Sequence, residues 1–90
     1  MSVKINIPSY LQPYTGDVEV VEVSGSTVRE CLDQLIGQFP SMGKMLFDKD
    51  RKLLDYVSIY LDGDFVYGDE LAKAVKDEDE FHILYILGGG

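Results

Sequence analysis

The chain has 90 residues, enough for one domain with a small core; a chain of this size buries roughly 60–65% of its unfolded surface. Apolar residues make up 46% and charged residues 27%, which sets wholesale disorder aside, and the net charge of −8 disfavours nucleic acid and anionic membranes, both of which recruit clustered Lys and Arg. One cysteine, Cys31, provides neither a disulfide nor a zinc or iron–sulfur cluster and suits a reducing, cytoplasmic setting, while no apolar run reaches the ~18 residues of a membrane span.

In chain order, Val3 to Ile7 alternates apolar and polar and predicts a half-buried strand ended by Pro8. Ser9 to Asp17 holds Pro13, Gly16 and Asp17 and predicts turns. Val18 to Val23 is β-branched and predicts a second strand, antiparallel to the first, with a slip in alternation at Val20-Val21 that allows a bulge or a shifted start. Thr27 stands three residues before Glu30, the spacing of a capping box in which the threonine hydroxyl accepts the Glu30 N–H and the glutamate reaches back to the Thr27 N–H. Val28, Cys31, Leu32, Leu35, Ile36 and Phe39 then fall on one helical face, so a helix is predicted over 28–39, stopped by Pro40 and packed through Leu32, Leu35 and Ile36.

Met42, Met45, Leu46 and Phe47 suggest a short helical turn, and 48–52 a charged loop. Tyr56 to Leu61 reads as a strand, Asp62-Gly63 as a type I′ hairpin turn and 64–66 as the return strand. A helical turn is expected over 70–75 and a solvated acidic turn near Asp77-Glu78-Asp79-Glu80, which lacks the ligand spacing of a calcium loop and could steer a basic partner. Phe81 to Leu87 forms the last strand. The order β-β-α-β-β-β predicts an α+β fold, a mixed β-grasp sheet around one main helix over 1–87, followed by a flexible glycine tail over 88–90.

The tail, Gly88-Gly89-Gly90, is the strongest functional feature. A glycine run has no Cβ, passes a channel too narrow for side chains and delivers one carboxylate into a partner. Intrinsic catalysis has little support. His82 lies in a strand without a catalytic partner, Cys31 falls on the buried helix face, and no helix or lysine follows the glycines to make a phosphate loop. With a single long helix, one sheet face is left open unless the 41–55 segment covers it. Phe65, Leu84 and Ile86 are placed on or near that face as a docking patch.

The hairpin, the Gly25-Ser26-Thr27-Val28 helix opening, Tyr60-Leu61-Asp62-Gly63-Asp64-Phe65-Val66, the 77–81 turn and the terminal Gly89-Gly90 together resemble the MoaD/ThiS family of β-grasp sulfur carriers. Where that family commonly has Pro-Pro-Val and a small residue before the glycine pair, this chain has Tyr85-Ile86-Leu87-Gly88. The resemblance implies that the chain is not an enzyme but a protein cosubstrate without a bound cofactor. An E1-like adenylyltransferase using ATP and Mg²⁺ would adenylate Gly90, a sulfur donor would convert it to a thiocarboxylate, and a biosynthetic acceptor enzyme of molybdopterin or thiamin type would receive the sulfur. Two alternatives share the fold: a ubiquitin-like modifier conjugated through Gly90, and an interaction module with an inert tail.

Overall fold

The computed structural model describes residues 2–66 and 69–85. Its strands are β1 (Val3–Asn6), β2 (Val20–Val23), β3 (Val57–Leu61), β4 (Asp64–Phe65) and β5 (Glu80–Tyr85), with helices α1 (Val28–Gln38) and α2 (Gly43–Leu46) and short 3-10 helices at Ser9–Tyr14, Pro40–Met42 and Glu70–Ala72. The strands form one sheet in the order β2-β1-β5-β3-β4. β1 and β5 run parallel at its centre and the other neighbouring pairs run antiparallel. This is the expected α+β, β-grasp arrangement.

Alternation along each strand divides the sheet. Val3 and Ile5, Val21 and Val23, Val57, Ile59 and Leu61, and Phe81 and Ile83 face inward with Ile7 and meet Val28, Cys31, Leu32 and Leu35 of α1. Ile36 is only partly buried, and Phe39 caps the helix rather than continuing it, its N–H donating to the Leu35 carbonyl. Met42 and Leu46 are also buried, with Met45, Phe47, Leu53 and Leu54 packed against the same core. The 40–54 segment therefore closes the helix side, and the opposite sheet face stays uncovered among the described residues.

Several local expectations are refined. β2 begins at Val20 rather than Val18, in continuous register with β1, so the slip is a shifted start and not a bulge. The 9–17 turn region contains the 3-10 helix Ser9–Tyr14, pinned by buried Leu11. Thr27 accepts the Glu30 N–H at 3.2 Å as expected, but the Glu30 carboxylate reaches one residue further back, to the N–H (2.7 Å) and hydroxyl (2.9 Å) of Ser26. Asp62 and Gly63 both have positive φ, 53° and 89°, as a type I′ turn requires.

The acidic turn is solvated as expected at Asp77, Glu78 and Glu80 but not at Asp79. Asp79 is buried and accepts the Lys76 N–H, Asp77 accepts the Ser2 N–H, and Glu80 accepts from the Asn6 amide. Glu78, at φ 71°, donates its N–H to the Ser2 carbonyl. The Asp77 and Glu80 carboxylates and the Glu78 N–H thus tie β1 to the turn before β5, linking residues more than 70 apart that composition alone does not pair.

Candidate functional site

The open sheet face carries a row that crosses all five strands. The register aligns Val20 with Asn6, Asn6 with His82, His82 with Tyr60 and Tyr60 with Phe65. Tyr60 meets the Phe65 ring edge-on at 5.2 Å between centroids and the His82 ring at 6.1 Å. Val20 and Phe65 are 42% and 40% exposed, so apolar surface opens to solvent at both ends of the row. On the tail side of the row Leu84, half-buried, pairs with Ser58. On the other side Lys4 lies between Glu22 and Glu80, a charged border. Phe65 and Leu84 thus share one face, whereas Ile86 and Gly88, Gly89 and Gly90 lie outside the described residues.

The end of β5 is built differently. Tyr85 points to the helix side, where its hydroxyl donates to the Met45 carbonyl. Tyr10 and Tyr56 pack on its ring at 6.1 Å and 5.1 Å. Burial raises the Tyr85 phenol pKa above its ordinary value, and the neighbouring Tyr56 and Tyr14 hydroxyls push it the same way. Tyr85 therefore stays a neutral hydrogen-bond donor at physiological pH. The sequence reading missed this cluster because Tyr10 and Tyr56 meet Tyr85 only through tertiary structure.

Two further groups were missed or demoted. Glu70 reaches across to accept the Ile59 N–H at 3.1 Å, replacing a strand partner where β4 is only two residues long. Burial raises its pKa, and the Ile59 hydrogen bond opposes the rise. Cys31 is fully buried, and desolvation together with the Glu30 charge pushes its thiol up to about 11. It is protonated at neutral pH and has no access to a substrate, as its helix-face position suggested. No group of three or more His, Cys, Asp or Glu side chains able to hold a metal occurs among the described residues.

A model of the ThiS family matches residues 5–90. The chain belongs to the ThiS family. It is similar over its full length to the sulfur carrier protein CysO of Mycobacterium tuberculosis, with 33% identity over 93 residues and complete coverage of both chains. Among solved structures, it superimposes on a chain of the Amycolatopsis orientalis BexX/CysO complex with a TM-score of 0.87 and 30% identity, covering 98% of this chain and 99% of that one. It also superimposes on the small archaeal modifier protein 1 of Methanosarcina acetivorans, with a TM-score of 0.85, 25% identity and coverage of 99% and 96%. Within the ThiS family this chain is a small ubiquitin-like sulfur carrier, a substrate of partner enzymes rather than a catalyst. Among the described residues no helix is long and apolar enough to cross a membrane.

Proposed function

We propose that the chain carries sulfur as a thiocarboxylate on Gly90, in the cytoplasm, for a cofactor or related biosynthetic route such as those of molybdopterin or thiamin. The observation that carries this reading is the family match, which runs through the three terminal glycines to residue 90. A free carboxylate, ionised at neutral pH, is a poor electrophile. An E1-like adenylyltransferase overcomes this with ATP and Mg²⁺: the Gly90 carboxylate attacks the α-phosphate, pyrophosphate leaves, and an acyl adenylate forms. The terminal sulfur of a donor persulfide attacks the acyl carbon and expels AMP. A thiol then cleaves the resulting acyl disulfide, leaving the thiocarboxylate for an acceptor enzyme.

In this scheme the domain contributes the tail and a docking face, with Phe65, Leu84 and Ile86 meeting the activating enzyme. The glycines 88–90 form a separate tail beyond a domain ending near 87. The likeness to a small archaeal modifier supports a second reading, in which a lysine amine attacks the acyl adenylate and forms an isopeptide.

ATP–pyrophosphate exchange tests the activation step. Gly89→Ala places a methyl where a channel would grip bare backbone, and slows exchange strongly without changing the melting temperature. Removing Gly90, or adding one residue after it, abolishes productive transfer. If the truncated and extended chains exchange as fast as the parent, the tail is inert and the proposal is wrong. Intact mass from native cells separates the two readings: a sulfur-for-oxygen mass increase supports the carrier, and ladders of conjugates support the modifier.

A further inference from the structure

We infer that the tyrosines around Tyr85 form a second contact surface, distinct from the open sheet face, on which the rim of the adenylating partner's tail channel sits. The inference rests on the activation of Gly90 proposed above.

Covalent geometry supplies the first part of the case. Five residues separate Tyr85 from the chain end, so the Gly90 carboxylate lies at most roughly 18 Å from Tyr85. An enzyme that encloses Gly90 and its nucleotide has to close around the chain within that distance. Its channel mouth is thereby brought to the end of β5, where Tyr10 and Tyr56 flank Tyr85.

The chemistry of that end supplies the second part. Tyr10 is 54% exposed, Tyr56 42% and Tyr14 37%, so three aromatic side chains present surface to solvent. Tyrosine presents a large rigid surface with few rotamers to immobilise and keeps a polar tip for a partner. The anchor beneath is preorganised: Tyr85 is held between Tyr10 and Tyr56, and its hydroxyl is bound to the Met45 carbonyl. Tyr85 ends β5 with its side chain on the helix side, whereas Tyr60, Phe65 and His82 occupy the other face. The two surfaces therefore lie on opposite sides of β5, the strand that leads to the tail. The rim that fits is apolar with guanidinium or ammonium groups, which stack on tyrosine faces and are favoured by exposed Asp55 beside Tyr56 and by the net charge of −8.

The test is ATP–pyrophosphate exchange by the E1-like enzyme of the source genome, with the full-length carrier as varied substrate and thermal melting of each variant. Tyr10→Ser and Tyr56→Ser each raise the KM for the carrier about tenfold and leave kcat within about twofold, while Tyr10→Phe and Tyr56→Phe stay near the parent. Should Tyr56→Ser lower the melting temperature, the more exposed Tyr10→Ser decides. If the serine variants keep the parental KM while Phe65→Ser raises it, the rim does not touch the tyrosines and the inference is overturned. If the parent itself supports no exchange with Gly90 intact, the activation reading falls and takes this surface with it.

Discussion

The two faces of the sheet are made by the same strands and differ in every other residue. On β5, Phe81 and Ile83 are sealed against the helix layer, while His82 stands exposed between them and Leu84 is half-buried. On the core face the row Val21, Ile5, Phe81 and Leu61 is continuous and dry; on the open face the parallel row Val20, Asn6, His82, Tyr60 and Phe65 is mixed and wet. Burial is therefore not a property of a strand but of its phase. If the open face is the docking face, as proposed, substitutions there alter recognition without disturbing the core face. That separation makes distinct demands on different substitutions.

The largest effect belongs to the core face. Leu35 is fully buried on α1, and Leu35→Ala removes its packing and leaves a void. A loss of about 2–5 kcal/mol is expected in urea unfolding. A loss below about half a kcal/mol would place Leu35 outside the core and undo the assignment of the two faces.

Gly25 sharpens the comparison at the helix entrance. A Cβ there would lie 2.9 Å from the Glu30 Cβ, 3.1 Å from the Cys31 backbone nitrogen and 3.2 Å from its sulfur. The first turn of α1 would have to shift, at a cost of about 1–3 kcal/mol for Gly25→Ala. An unchanged melting temperature would mean that the helix start is softer than its packing implies.

These contrasts also show what was legible beforehand. The helix and the Asp62-Gly63 turn could be read because each depends on neighbours within a few residues, and the antiparallel β1–β2 pair because two alternating runs flank a single turn region. The Glu30 contact with Ser26 rather than Thr27 could not, because one residue's difference is decided by how the chain enters the helix. The tyrosine cluster and the Asp77–Ser2 bond were invisible for a different reason: each joins distant parts of the chain. Phe65 and Leu84 were placed on one face by alternation alone, yet Tyr60, which joins Phe65 and His82 into a row, was overlooked although the same alternation reaches it.

Glu30 gives a smaller, pH-dependent effect. Hydrogen bonds from the Ser26 backbone and then its hydroxyl lower the Glu30 pKa in the folded state. A lowered carboxyl pKa stabilises the fold above the unfolded value, and that contribution disappears as pH falls through the folded value. The parent should therefore lose melting temperature on acidification more steeply than Glu30→Gln, and the two curves should draw together at the acid end. Parallel curves across that range would show that the Ser26 contacts do not favour the charged form.

The smallest effect on stability, and the most informative about function, is expected at Phe65. Phe65 is 40% exposed and its ring touches Tyr60 edge-on, so Phe65→Glu forfeits one aromatic pair and part of the ring's burial but opens no core void. Such a pair is worth about 0.5–1.5 kcal/mol beyond the area it buries, and the expected loss in unfolding free energy stays well below that of Leu35→Ala. Binding to the activating enzyme should weaken about tenfold or more, because a charge then replaces the exposed aromatic ring at one end of the row. Calorimetric titration beside thermal melting reads both quantities on one sample. A large drop in stability would make Phe65 part of the core, and unchanged binding would show that the open face is not where this partner docks. Weak binding by an undamaged fold is the one result that keeps the two faces separate in function as they are in structure.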